Sequence, residues 1–254
     1  MVDQETFLMS NADDVADLVE MGLSDPDPNV RLEWVGRTDW TPTSEQVERG
    51  LKDDNIEVRV AWAARMDWVP FPEQVERGLS DPDHDIRIEW TKRADFTPTC
   101  EQVDRGLADT NWLVRYLWTR RMDWTPNSEQ VEKGLMDEDP SVKHAWVKRM
   151  DWTPTPEQVE SGLTSELWEI RVAWAQRTDW NPTVEQARRG MDDCSEIIRL
   201  SWAERTDWTP TVEQIEQGLN DQRRDIRNAW MERAKVEQER ALNNEQITEV
   251  EVSL

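Results

Sequence analysis

Arg37-Thr38-Asp39-Trp40-Thr41-Pro42-Thr43-Ser44-Glu45-Gln46-Val47-Glu48-Arg49-Gly50-Leu51 is the stretch on which the fold turns. Its Asp-aromatic pair returns every 28 residues, at Asp67-Trp68, Asp95-Phe96, Asp123-Trp124, Asp151-Trp152, Asp179-Trp180 and Asp207-Trp208. The Glu45-Gln46 pair returns in step, as far as Glu213-Gln214. A fixed period of this length, kept without an insertion, predicts stacked repeats in which each unit packs on its neighbours. The fold class expected is all-α: an α-solenoid of about seven to eight 28-residue two-helix repeats with degenerate caps. Residues 11–233 form the repeat domain and residues 1–10 an extension that frays. Residues 234–254 are a charged helical extension that ends, from Asn243, in a loose acidic tail.

Each unit holds two helical segments. Segment A runs from Thr43 to about Lys52 and opens on a capping box, Thr43 with Gln46 three residues on. Thr99, Thr155, Thr183 and Thr211 repeat the device, Asn127 substitutes for it, and Phe71 breaks it. Segment B runs from about Pro28 to Gly36. Its cap column reads Asp27, Asn55, Asp83, Asn111, Asp139, Leu167, Ser195 and Arg223, six of them good N-caps. Trp34 and its equivalents, Trp62 to Trp230, put an indole on the buried stripe of every segment B. Segment B stops at the Asp-Trp-x-Pro turn, because proline pushes the residue before it out of the helical region. Eight of the nine glycines, Gly22 to Gly218, fall in one column of segment A. A helical glycine costs ~1 kcal/mol against alanine, so the close approach of a helix or a Trp face is expected there.

Apolar content is only 37%, but there are 16 tryptophans. Each buries ~150–250 Å², a gross gain of roughly 4–6 kcal/mol before entropy. The formal charge is −24, from 54 acidic and 30 basic residues. Nucleic acids and anionic membranes need a basic footprint and are disfavoured as ligands. The partner expected is a basic protein surface, steered in by the negative field. No apolar run approaches ~20 residues, and no secretory leader is read at the N-terminus. Cys100 and Cys194 sit at different repeat positions, so no disulfide is expected and a cytoplasmic protein fits.

Asp25-Pro26-Asp27-Pro28-Asn29-Val30-Arg31, followed by a helix, resembles the second half of a HEAT-type repeat. The short unit with a proline-led first helix resembles the leucine-rich-repeat variant, a HEAT relative. The likeness covers about residues 11–233 and departs in the Trp columns and the strict period. It implies an Asp–Arg ladder between successive units. The ladder aspartates would be Asp25, Asp53, Asp81, Asp109, Asp137, Asp193 and Asp221, with Ser165 breaking the column. The cations would be Arg31, Arg59, Arg87, Arg115, Lys143, Arg171, Arg199 and Arg227. Such solenoids host many binding roles, so the resemblance implies a fold and no activity.

A second arginine column, Arg37 to Arg233, is expected to pair with the aspartate two residues on or to stack on a Trp face. His84 and His144 lie at unlike positions, outside any metal-ligand spacing, and no phosphate loop or nucleophile elbow occurs. No cofactor, metal or catalytic residue is expected. With fourteen ladder and turn aspartates and sixteen column cations set aside, the acidic excess of the rest is undiminished. Segment A carries much of it, three residues apart on one face. The pairs are Glu45 with Glu48, Glu73 with Glu76, Glu101 with Asp104, Glu129 with Glu132, Glu157 with Glu160, and Glu213 with Glu216, the sixth repeat breaking the series with Arg188 after Glu185. Stacking would align these as a carboxylate strip, diluted by i,i+4 cations such as Arg49 after Glu45. The functional expectation is a non-enzymatic acidic repeat protein that binds a basic protein. A nucleic-acid mimic inhibiting a defence nuclease, of anti-CRISPR or anti-restriction type, is its specific form. The alternative is an interaction scaffold using Trp112 and Trp168, which lie outside the Trp columns, with acidity serving solubility.

Overall fold

The computed structural model describes the backbone of residues 15–252 and the side chains of residues 15–240. The expected fraying extension, residues 1–10, lies outside the described residues. Sixteen helices and no strand occur among those described, in eight A–B pairs. The first four pairs are α1 (15–23) with α2 (Pro28–Val35), α3 (Ser44–Gly50) with α4 (Ile56–Ala64), α5 (Pro72–Leu79) with α6 (His84–Lys92), and α7 (Cys100–Leu107) with α8 (Trp112–Arg120). The rest are α9 (Ser128–Leu135) with α10 (Pro140–Lys148), α11 (Pro156–Leu163) with α12 (Trp168–Gln176), α13 (Val184–Met191) with α14 (Glu196–Glu204), and α15 (Val212–Leu219) with α16 (Arg224–Val252).

The chain divides into two compact units, one ending at Trp124 and one beginning at Thr125. In the first, α2, α4, α6 and α8 stack in succession, and α3, α5 and α7 each pack on the helix that follows. In the second, α10, α12, α14 and α16 stack, and α9, α11, α13 and α15 pack on them in the same way. Both units are all-α stacks of solenoid repeats.

The caps explain why such short helices start where they do. Thr43 Oγ1 accepts from the Gln46 N–H at 3.3 Å while Gln46 Oε1 accepts from the Thr43 N–H at 2.9 Å. Phe71 keeps only the second half, its N–H donating to Gln74 Oε1 at 2.9 Å. Asp27, Asn55, Asp83, Asn111 and Asp139 cap the B helices through their side chains. Ser195 departs from the expected column: its hydroxyl makes no cap bond, and its N–H donates to Asp193 Oδ1 instead.

Packing then decides the glycine column. The B-helix indoles from Trp62 to Trp230 are 1–2% exposed, and Trp34 in the first pair is half-buried. A Cβ placed on Gly50, Gly78 or any glycine of the column would overlap the indole twelve residues on. None has a positive φ, so the demand is for space and not for backbone freedom. The C-terminus differs from expectation, because α16 continues to Val252 where a loose tail was read from Asn243. From Asn243 the segment contains no glycine or proline to stop a helix, and three glutamates and a glutamine help to sustain it.

Gly106 and Gly36 separate the two roles of glycine. A Cβ on Gly106 would overlap Trp118, whereas one on Gly36 makes only ordinary contacts, with Glu33 O at 3.5 Å and Leu32 O at 3.6 Å. Gly106→Ala is expected to lose about 1–3 kcal/mol from overpacking despite its better helix propensity. Gly36→Ala is expected to be neutral or to gain about 0.4–1 kcal/mol. Urea-unfolding midpoints of the two variants check the contrast.

Candidate interaction surface

The turn arginines are buried bolts between repeats. Arg93 is 1% exposed. Its Nε and one terminal nitrogen donate to Asp95 at 3.0 and 2.5 Å. The remaining donors reach back one repeat, to Ala63 O at 2.9 Å, Arg65 O at 2.6 Å and Trp68 O at 3.0 Å. All five guanidinium hydrogens are thereby satisfied. Ala63 and Arg65 lie at the C-terminal end of α4, where helix carbonyls lack partners and the dipole is negative. Arg93 therefore caps the preceding B helix while stacking 4.2 Å above the Trp68 ring. Arg65, Arg121, Arg177 and Arg205 repeat the arrangement within their units. The expectation of aspartate pairing or indole stacking was too narrow, since each of these cations also caps a helix. Arg37 pairs with Asp39 and stacks on Trp34. Arg233 bonds Glu237 and Trp208 O.

The ladder implied by the repeat resemblance joins each cation to the aspartate of the next unit. Arg31 donates to Asp53 at 2.8 and 2.7 Å, and its remaining terminal nitrogen to Asp25 O at 2.8 Å. Arg87 with Asp109, Arg171 with Asp193 and Arg199 with Asp221 do the same at 2.7–3.3 Å, and Arg59 stands 3.9 Å from Asp81. Burial alone would raise the Asp53 carboxyl; the Arg31 guanidinium and the Asn55 N–H outweigh it and hold it low. Ser165 breaks the column, and the side chain of Lys143, the cation that would meet it, makes no hydrogen bond or ion pair among the described residues.

A third inter-repeat contact corrects the carboxylate strip. Glu48 accepts from both Arg77 terminal nitrogens at 3.0 Å and from Gln74 Nε2 at 3.0 Å. Glu20 is held likewise by Arg49 and Gln46, Glu76 by Arg105 and Gln102, and Glu160 by Arg189 and Gln186. The Arg77 bonds, countered by partial burial and aided by Lys52 and Gln74, bring the Glu48 carboxyl down to about 2. Glu20 and Glu76 are lowered to about 2 by the same arginine bonding. Hence Glu48, Glu76 and Glu160 are not free members of a strip. Nor does Arg49 dilute Glu45, because it turns to Glu20, where Gln46 adds a further donor. Sequence reasoning missed this contact, although its signal is present as acid–arginine pairs 29 residues apart.

Among the described residues, the exposed Glu45, Glu73, Glu101, Glu132 and Glu157 have no ion-pair partner. Glu129 is bound by Lys133 at 2.8 Å, and Asp104 is partnered. The first-turn positions Glu45, Glu73 and Glu101 sit equivalently on α3, α5 and α7. Trp112 is 45% and Trp168 44% exposed. Trp112 leans on Tyr116 at 6.4 Å, whose hydroxyl accepts from Arg120 at 2.9 Å. His144 is pushed down by burial and then by Lys148, and the exposed His84 faces Asp85 at 3.5 Å. Cys100 and Cys194 are exposed free thiols. No group of three or more metal-ligating side chains and no helix fit to cross a membrane occurs among the described residues.

Two predictions follow from the bonding. Replacing Arg93 by lysine leaves one compact ammonium where five directed donors stood, so a loss of about 2–4 kcal/mol is expected in chemical unfolding. The depressed Glu20, Glu48 and Glu76 contribute stability that is complete above about pH 4.3, the ordinary glutamate value. That contribution is lost as the pH falls toward 2, where the folded state is protonated too. Thermal midpoints should therefore drop across this window, and Glu48→Gln with Glu76→Gln should flatten the drop.

No protein-family model and no curated protein matches the chain. A solved structure described as a leucine-rich repeat variant with a novel repetitive protein structural motif is similar to it. The two share 23% identity and a TM-score of 0.61 over 84% of this chain and 78% of that one. The likeness is one of fold: the chain is an all-α stack of helical repeats similar to those of that structure.

Proposed function

We propose that this chain is a non-enzymatic repeat protein that docks onto the basic surface of another protein. One observation carries the reading. The arginine columns are occupied by inter-repeat bonds, while the first-turn carboxylates Glu45, Glu73 and Glu101 are exposed and unpaired. A molecule of charge −24 arranged in this way presents anionic groups at the repeat spacing and few free cations beside them. Such a row attracts a basic patch over long range and contacts it at several points. A nucleic-acid-binding channel is the finer form of that patch, since it is already lined to receive regularly spaced anions.

The exposed Trp112 and Trp168 support a second reading, in which an indole anchors a partner and charge serves solubility. Binding to a panel of nucleic-acid-binding proteins separates the two. Acidic docking predicts that affinity falls at least about tenfold between 50 and 300 mM salt. It also predicts that combined Glu45→Lys, Glu73→Lys and Glu101→Lys changes cost more than Trp112→Ala with Trp168→Ala. Salt-independent binding lost with the tryptophans would transfer the role to the indoles.

A further inference from the structure

One junction in the second unit has lost both side-chain ladders at once. At residue 165, serine replaces the ladder aspartate; at residue 161, serine replaces the arginine found at Arg49, Arg77, Arg105 and Arg189. Their counterparts on the preceding repeat, Lys143 and Glu132, are left without a side-chain partner among the described residues. Ser165 keeps only the local half of the aspartate's role, its Oγ accepting from the Leu167 N–H at 3.3 Å. Gln158 keeps its cap bond to the Thr155 N–H at 2.9 Å. It makes no bond to Glu132 of the kind Gln186 makes to Glu160 at 3.1 Å.

A groove of about 710 Å³ lies here, lined by Glu132, Lys143, Gln158, Ser161, Ser165 and Trp174. The equivalent groove two repeats on, lined by Arg199, Gln217, Asp221 and Trp230, is about 450 Å³. There Arg199 bonds Asp221 at 2.7 Å and joins the repeats across it. The larger groove is thus the position where the fold omits a carboxylate and a guanidinium, and both of their partners remain in place. Its volume falls within the ~300–1,000 Å³ usual for ligand sites.

We propose that this groove binds a peptide segment carrying an arginine and a carboxylate side chain in close succession. The ligand arginine takes the place vacant at residue 161 and bonds Glu132; the ligand carboxylate takes the place vacant at residue 165 and bonds Lys143. A simple anion would satisfy Lys143 and leave Glu132 unpaired beside it, and a simple cation would do the reverse. Charge-assisted bonds at both ends make the paired ligand the favoured one. Ser161 lies in the last turn of α11 and Ser165 two residues beyond its end, four positions apart, a short span suited to side chains two apart in an extended peptide, ~7 Å. The first-turn carboxylate Glu157 also borders the groove, but the two charges that hold the ligand, Glu132 and Lys143, lie outside the first-turn positions, so the proposal does not depend on the docking row of Glu45, Glu73 and Glu101.

Isothermal titration with a capped arginyl-alanyl-aspartyl amide at 50 mM salt tests the proposal. Saturable binding to the wild-type chain is expected, weakened about tenfold when citrulline replaces arginine and likewise when asparagine replaces aspartate. Lys143→Met and Glu132→Gln, each checked for native helicity, should each weaken the parent peptide about tenfold. Ser161→Arg with Ser165→Asp should rebuild both ladders, raise the thermal midpoint and abolish binding. Absence of saturable binding overturns the proposal, as does undiminished binding of the neutral peptides. Retained affinity in the single variants overturns it even if the double variant fails to fold. Sensitivity to only one of the two charges overturns the paired-ligand form.

Discussion

A guanidinium that donates to the carbonyls ending the previous repeat's B helix is the contact on which these stacks depend. A helix of eight or nine residues cannot persist alone, and its last carbonyls would otherwise face a partly buried turn. Supplying the cap from the next repeat makes each helix depend on its neighbour. The aspartate two residues on orients the fork, and the turn tryptophan covers one face of it. A buried charge is tolerated when every donor is bonded, and at Arg93 every donor is. The indole and the glycine then set how closely the A and B helices approach.

The same economy shapes the outside of the molecule. Three rows of cations are taken up by bonds between repeats: the turn arginines, the ladder arginines, and the more exposed A-helix arginines that hold Glu20, Glu48, Glu76 and Glu160. Each row lies between repeats, and two of the three are interrupted at the junction of Ser161 and Ser165. What is left facing water is weighted toward carboxylates, and acidity at the surface follows from how the repeats are joined.

Much of this was legible in the sequence because it is periodic. The caps, the Trp stripe and the need for space at the glycine column are local consequences of residue type at fixed spacing. The A-helix acids were harder. Glu45 and Arg49 are one turn apart on the same helix, and spacing alone favours pairing them. Only the neighbouring helix, which brings Glu20 toward both Gln46 and Arg49, decides otherwise. The groove at Lys143 was half visible. Ser165 was read as a gap in a ladder, but its conjunction with Ser161 has meaning only once the second ladder is known. The end of α16 was less legible, because the repeat pattern ends there and its Asn, Thr and Val residues are weak helix formers, while no glycine or proline marks a stop.

The glycine–indole contact spans twelve residues and the arginine bolt reaches back 25 to 30, so the two together leave little slack along the chain. An extra residue inside either span would rotate the following helix and dislodge an indole and a guanidinium together. Length in this architecture is therefore quantised: the chain can gain or lose whole 28-residue modules by duplication or deletion, but it has almost no tolerance for indels of any other size within a module.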